Sequence, residues 1–341
     1  MKPLLLIVGD PLSIGPEITV KALARPEAQG PLAVIGPVNI LNRTAETLGL
    51  KPRFIRVDSL EHLPSNPQVI PVLEPPGDWS GLDALPMGRV HPLAGKASVE
   101  YVVLGARLAL AGLAQALVTG PINKESVQQA GYHQFIGNTE ILEQVCAETL
   151  GRPFAGKCLT MLISGGLRVA HVTRHVAFRD ISAKLTVDKL LEVIRLTALG
   201  MVSLGLPGAA IAVAGLNPHN GDGGLMGDEE SRVIAPAVAQ AQAEGLKVEG
   251  PLPADSVFHF AIRGAYQAVV ALYHDQGHIA IKTHGFEQSY SVSLALPIIR
   301  TSVDHGTAFN IAGQGLANET SLMEALAAAR HIVAVNQWQV A

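Results

Sequence analysis

The sequence predicts an α/β fold in which buried strands alternate with helices over two domains. Three observations carry this expectation. The runs LLLIV at 4–8, LAVI at 32–35, ALVT at 116–119, IAVAG at 211–215 and VVALY at 269–273 are almost wholly apolar, as strands covered on both faces are. Hydrophobic residues make up 48% of the chain and aromatic ones only 4%, so Val, Ile, Leu and Ala fill the interior, a mix that suits Ala-rich helices on a parallel sheet. At 341 residues the chain is long enough for two domains and a sizeable core.

In order, the strand at 4–8 enters GDPLSIGPEI, a Gly/Pro turn leading to a helix that reaches residue 24. The turn points amides where an anion would bind, yet neither GxGxxG nor GxxxxGK[ST] is present, so no nucleotide motif is read there. Asp10 and Glu17 in this segment suit structure as well as chemistry. A strand at 32–35, a helix near 39–48 and a Pro-rich irregular stretch over 63–92, placed on the surface, come next. A helix over about 95–112 precedes the strand 116–119, which ends in TGPINKESV. Lys124 there follows a Pro-led turn, where an ammonium can bind an anion or shuttle a proton; alone, such a lysine is usually a solvated charge. GNTEIL puts Thr139 at a helix N-cap with Glu140 in the first turn.

Strands at 159–163 and 167–173, separated by Ser164, Gly165 and Gly166, form a hairpin pattern, and a helix over about 182–199 follows. LNPHNGDGGLMGDEE then sets His219 in a Gly-rich loop, with Asp228, Glu229 and Glu230 in the first turn of a helix over 231–243, where the dipole favours negative charge. Asp255 stands at the entry of a short helix. The strand at 269–273 stops at His274, Asp275 and Gln276 before Gly277 turns the backbone, and a last helix spans 321–333. No internal repeat and no clean linker divides the chain.

Composition excludes several classes of function. A formal charge of -4 with no basic cluster among aromatics gives no footing for nucleic acid. The two cysteines, Cys146 and Cys158, form neither a disulfide framework nor a zinc spacing, which fits a reducing cytoplasm. MKPLLLIVGD reads as a first strand rather than a signal peptide, and no apolar run is long enough to span a bilayer. A soluble, cytoplasmic protein without membrane partners is expected.

His175, His219 and His274 each stand just past the end of an expected strand. If those strands are neighbours, the three rings converge at the carboxyl edge of the sheet, where open α/β folds place their ligands. Neutral imidazoles suit zinc and similar divalent ions, and three protein ligands leave positions open for substrate oxygens. The alternative is that each ring only ends its strand with local hydrogen bonds. No short metal motif such as HExxH decides between them.

GDPLSIGPEI, TGPINKE, GNTEIL, HVAFRD, NPHNGDGG, GPLPAD, YHDQGHIAIK and LPIIRTSVDHGTAF occur in the order found in the 4-hydroxythreonine-4-phosphate dehydrogenase (PdxA) family, and the chain resembles that family over nearly its whole length. The resemblance implies an isocitrate/isopropylmalate dehydrogenase-like fold of two α/β domains around a central cleft. It leads us to divide the chain roughly into a cofactor-side domain (1–125 plus 285–341) and a metal, substrate and dimerisation domain (126–284). It also implies a homodimer whose subunits share each active site. The family's metal ligands fall on His175, His219 and His274, for one divalent ion (Zn, Mg, Mn or Co). Its substrate contacts fall on Asn138, Thr139, Lys282, Ser291 and Arg300, and Lys124, Asp255 and Asp275 are assigned to proton transfer. HGTAFNIAG resembles the adenine-side loop of the wider group, so His305, Gly306, Thr307, Ala308 and Asn310 are assigned to the cofactor.

Two positions depart from the family pattern. GNTE stands for the usual GHTE, so Asn138 replaces a histidine, and Ser291 replaces an asparagine. A pocket that loses hydrogen-bonding groups changes its selectivity strongly. The expected activity is a metal-dependent NAD dehydrogenase, with NADP admissible because Asn310 is neutral, that oxidises and decarboxylates an anionic hydroxy acid. A substrate like 4-phosphooxy-L-threonine, on the route to pyridoxine, is the first choice; threonate or erythronate 4-phosphates and cis-dihydrodiol dicarboxylates are the alternatives. A metal-dependent lyase and a catalytically silent binding protein are the competing classes.

Overall fold

The computed structural model describes residues 2–61, 63–64, 66–154 and 158–340. They form two compact units, Met1–Cys158 with Leu296–Val333, and Leu159–Ala295 with Ala334–Ala341. In chain order the first part holds β1 (Leu4–Ile7), α1 (Gly15–Leu23), β2 (Leu32–Ile35), α2 (Val38–Leu48), β3 (Arg53–Arg56), β4 (Val69–Leu73), α3 (Pro92–Leu110), β5 (Ala116–Thr119), α4 (Lys124–Gln129) and α5 (Asn138–Leu150). The second unit follows with β6 (Leu159–Ser164), β7 (Leu167–His171), α6 (Ile181–Lys184), α7 (Val187–Ser203), β8 (Ile211–Ala214), α8 (Ala235–Ala243), β9 (Val248–Leu252), α9 (Ala254–Ile262), β10 (Ala268–Ala271), α10 (His274–Gly285) and β11 (Tyr290–Leu294). The chain then gives β12 (Arg300–Val303) and α11 (Thr320–Val335). The passages expected at 125/126 and 284/285 lie inside the first and second units. The reason in the first is that α5 packs on α3 and shares its core, with Ile141, Leu142 and Cys146 buried beside Val99 and Val102.

The first unit's strands run β3-β4-β2-β1-β5-β12, each pair parallel. Leu5, Leu6 and Ile7 are fully buried, and each such side chain contributes about 1.5–3 kcal/mol relative to exposure. The stretch over 63–92 is therefore not wholly irregular: β4 lies within it. Pro71 stands opposite Ile55, and the β2 pairing begins only after it, at Val72, which is how a strand with a proline fits between two neighbours.

In the second unit β11, β6 and β7 are antiparallel neighbours, and β7-β10-β8-β9 continue parallel. The expected hairpin is present, closing through Gly165 at φ 53°. The expected helix over 182–199 is broken instead, because the Thr186 side chain accepts from Lys189 N at 3.2 Å and starts α7 afresh. Gly277 does not turn the backbone either; it lies inside α10, which begins at His274. A β-carbon at Gly277 would stand 2.2 Å from His171 Nε2, so the glycine serves close packing of helix on strand. Among the described residues no helix is long and apolar enough to cross a membrane.

Candidate active site

Within the second unit, β7, β10 and β8 are consecutive parallel strands, with Ala271 beside His171 and Val270 beside Val213. His175, His274 and His219 follow their three carboxyl ends, so the neighbour relation that the sequence argument required is present. His175 and His274 line one cavity of about 360 Å³ with Arg174, Phe178, Tyr273 and Asp275. Their ring centroids are 6.0 Å apart. Two imidazoles on one tetrahedral ion, through bonds of about 2.1 Å, have centroids about 5.3 Å apart, so this pair stands somewhat wider than such a site.

His274 Nδ1 and Asp275 Oδ1 are 2.6 Å apart. The carboxylate accepts the Nδ1 proton and leaves Nε2 with its lone pair, as ligand histidines with a carboxylate partner do. The His274 ring also stacks on His278, centroid to centroid 3.6 Å, and His278 Nδ1 donates to His274 O. His171 is buried beside them, its Nε2 without a hydrogen-bond partner, and burial first, then the neighbouring rings, push its pKa down to about 3.

His219 is exposed in an unusual loop. It, Asn220, Gly221, Asp222 and Gly223 all have positive φ, from 43° to 74°, a left-handed turn in which three residues are not glycine. Glu230 braces this loop from a buried position, accepting from Leu216 N and Asn217 N at 2.8 and 2.7 Å. The helix expected at 231–243 accordingly opens with one π-helical turn, Glu230–Ile234, before α8. Glu230 therefore serves the loop rather than a helix dipole. Among the described residues no three His, Cys, Asp or Glu side chains stand ready around one ion. His175 and His274, two imidazoles on one cavity, are donors of the kind a divalent ion takes, while His219 does not line that cavity.

Elsewhere in this unit Asp255 is exposed in the first turn of α9, which packs against the His219 loop. Lys282 Nζ reaches Ser289 Oγ at 3.4 Å and lies over the Phe286 ring, and Ser291 is buried in β11 opposite Leu162.

The first unit gathers its own set at the end of β5. Lys124 is the exposed first residue of α4 rather than a turn residue, with Asn123 as the cap that accepts from Ser126 N at 2.7 Å. Gly137, not Thr139, is the N-cap of α5, and no side chain caps it, so the first amides of a 13-residue helix stay available to an anion. Asn138 Nδ2 donates to Gly120 O at 3.4 Å, while its buried Oδ1 has no partner. Arg300 is buried, with Nε and Nη2 donating to Thr119 Oγ1 at 3.0 and 2.7 Å, and burial pulls its pKa down to about 10. His305 to Asn310 form a loop, a bend at His305 and a turn at Phe309 and Asn310 with irregular backbone between; Thr307 O accepts from Ile14 N, tying this loop to the GDPLSIGPEI turn.

Glu17 proves structural, accepting from Lys21 and from Gly315 N and Ala317 N. Asp10 is fully buried, and desolvation pushes its carboxyl from 3.8 up to about 6 against hydrogen bonds from Leu12 N and Ser126. A carboxyl raised in the folded state favours folding below its unfolded value and loses that contribution as pH climbs through 4 to 6. Asp10→Asn, which keeps an acceptor for Leu12 N, is expected to stabilise the protein at pH 8 by up to about 3 kcal/mol and by nothing at pH 4. Urea denaturation at both pH values checks this; equal gains at both would contradict it.

Residues to which the sequence reading gave no part in the site are Thr119, His171, Gln276 and His278, and Glu229 and Glu230 were read only as helix-dipole acids. Only His278 carried a signal, its i, i+4 spacing from His274 on one helix face.

Comparison with known proteins identifies the family. The sequence profile of the family described as "Pyridoxal phosphate biosynthetic protein PdxA" matches residues 28–329. A protein of Symbiobacterium thermophilum, provisionally named a D-threonate 4-phosphate dehydrogenase, is 44% identical over 329 residues, covering 95% of both chains. One of Clostridium botulinum, with the same provisional name, is 40% identical over 330 residues at the same coverage. Among solved structures, 4-hydroxythreonine-4-phosphate dehydrogenase from Klebsiella pneumoniae superposes with a TM-score of 0.86 at 36% identity, covering 98% of this chain and 100% of that one. The fold is thereby isocitrate/isopropylmalate dehydrogenase-like, as expected, and the silent-protein and lyase readings give way. Family profile, relatives and fold converge: this chain belongs to the PdxA family and is a dehydrogenase, an oxidoreductase acting on a CH–OH group.

Proposed function

We propose that the enzyme oxidises and decarboxylates D-threonate 4-phosphate, with NAD as the preferred acceptor and one divalent ion held by His175, His219 and His274. The observation that carries the substrate choice is Asn138. It stands where the family resemblance implies a histidine, and it offers a buried Oδ1 that lacks a protein donor. A neutral acceptor at that place suits a substrate hydroxyl. The provisional names of the relatives at 44% and 40% identity support the same choice. Threonate 4-phosphate and 4-hydroxythreonine 4-phosphate differ at the carbon beside the carboxylate, hydroxyl in one and ammonium in the other.

When bound, the metal would polarise the reacting hydroxyl, and the nicotinamide would accept the hydride. The chain's own groups bind and orient. In the first unit the uncapped amides of α5, Thr139 and the Arg300 guanidinium are proposed to take an anionic group, bidentate if the guanidinium is presented side-on. In the second, Lys282 supplies a further cation and Ser291 a hydroxyl. Asp275 fixes the His274 tautomer, and Lys124 with Asp255 is proposed to move protons. His305, Gly306, Thr307, Ala308 and Asn310 are proposed to hold the adenine end of the cofactor. A homodimer sharing its sites is proposed as well; Phe178, Leu225 and Ile279, on the segments after β7 and β8 and in α10, are 79%, 86% and 65% exposed and suit cover by a second copy. A cytoplasmic setting fits the two buried, unbridged cysteines.

NADH formation at 340 nm tests the substrate. Wild-type kcat/KM on D-threonate 4-phosphate is expected to exceed that on 4-hydroxy-L-threonine 4-phosphate by about 10-fold or more, and Asn138→His to raise the latter activity. The reverse preference in the wild type would sink the assignment, and turnover confined to a cis-dihydrodiol dicarboxylate would move it to another branch of the family.

A further inference from the structure

We infer that Arg174 is a substrate-binding residue whose guanidinium, on the cavity that His175 and His274 line, takes the carboxylate of the hydroxy acid; this rests on the substrate class proposed above. The sequence accounts for its place. β7 ends at His171, and Val172 and Thr173 still follow the sheet, their amides donating to Ala271 O and Leu272 O at 2.9 and 3.1 Å. Arg174 is thus the first residue past the carboxyl edge, and it is half-buried there beside an exposed His175. It lines the cavity of about 360 Å³ together with Tyr273, His274 and Asp275.

The neighbouring strand holds it in place. Arg174 Nη1 donates to Thr160 Oγ1 of β6 at 2.9 Å, which anchors one end of the guanidinium. Arg179, later in the same segment, is instead solvated and turns to Asp180 at 3.8 Å. Among the described residues no carboxylate is paired with Arg174. The acid that shares the cavity, Asp275, is engaged by His274 Nδ1 at 2.6 Å. α10, 12 residues long, begins at the same cavity with Tyr273 as its N-cap and no side-chain cap, so its positive end adds to the guanidinium.

Chemistry then selects the anion. A guanidinium presents its N–H donors in a plane, and a planar carboxylate matches that fork. In a hydroxy acid the carboxylate stands one or two carbons from a hydroxyl, so the groups that meet the two must share a cavity. Arg174 and His274 do. The consequence is selectivity: a polyol phosphate, which lacks only the carboxylate, leaves the guanidinium unmatched.

NADH formation on D-threonate 4-phosphate, with threitol 4-phosphate as competitive inhibitor of the full-length enzyme, tests the assignment. In the wild type the inhibition constant of the polyol is expected to exceed the KM of the acid by about 10-fold or more. Arg174→Gln, whose amide still reaches toward Thr160, is expected to raise the KM of the acid by about 10-fold or more, leave inhibition by the polyol within about twofold, and melt within about 2 °C of wild type. An unchanged KM overturns the assignment. So does an equal loss for acid and polyol, which would point to the phosphate or to general damage. If the wild type does not oxidise D-threonate 4-phosphate, the substrate reading falls; the same comparison on the hydroxy acid that it does oxidise, against the alcohol lacking the carboxylate, then decides Arg174. Should Arg174→Gln fail to fold, Thr160→Val, which removes one half-buried hydroxyl, takes its place. A loss of about threefold or more confined to the acid supports the assignment, and no loss overturns it.

Discussion

His274→Ala is expected to lower kcat by about 1,000-fold or more at saturating substrate and cofactor, while the metal-free protein stays folded. Three features of the ring argue for an effect of this size. It lies on the cavity it shares with His175, its Nδ1 is engaged by Asp275, and its Nε2 lone pair is left for a ligand. In the proposed three-histidine site its removal would leave two imidazoles, too few to hold a divalent ion against water where substrate must also bind. The ring is half-buried at the first position of α10 and caps nothing, so its loss disturbs packing little. NADH formation measured with and without added Mn²⁺ checks the expectation. A rate within about threefold of wild type would remove His274 from the chemistry.

Gly95→Ala is the second large effect, and it acts on stability. A β-carbon at Gly95 would stand 1.9 Å from Ser126 O and 2.2 Å from Ser126 C, both backbone atoms, where α3 and α4 come together. No rotamer change relieves a clash with backbone; the helices must separate. The loss is expected to be about 3 kcal/mol or more, at the upper end for overpacking by one methyl, because Ser126 is itself tied down. Asn123 caps its amide, and its hydroxyl accepts from His91 N at 3.3 Å. Since Lys124 begins α4, the same shift would displace that ammonium and reduce activity in the folded fraction. Urea denaturation checks the stability. Wild-type stability in Gly95→Ala would contradict the close approach described.

What was legible in the chain follows from this physics. β1, β2, β8 and β10 are apolar throughout, and β5 up to its last residue Thr119, because both faces are covered, and such runs announce themselves without alternation. The placement of His175, His219 and His274 past three strand ends was legible for the same reason. β3 and β4 were not, since Arg53 and Arg56 flank the buried Phe54 and a proline interrupts β4. The start of α10 at His274 was hidden by Gly277, a residue that reads as a turn but is required by the nearness of His171. Glu230 was misread because acids before a helix satisfy a local rule, the dipole, and nothing local reveals that a carboxylate folds inward onto a loop 13 residues earlier. The uncapped start of α5 likewise depends on Gly137, one position before the residues that draw attention. Local patterns reported elements and their ends; partners distant in the chain decided what the polar residues do.

The proposed activity depends on a metal between three imidazoles. Anomalous diffraction at the zinc edge, from crystals of the protein grown with Zn²⁺, tests it most directly. One strong peak bonded to ring nitrogens of His175, His219 and His274 at about 2.0–2.1 Å is predicted. Zinc bound elsewhere, with those three rings making no common contact, would contradict it.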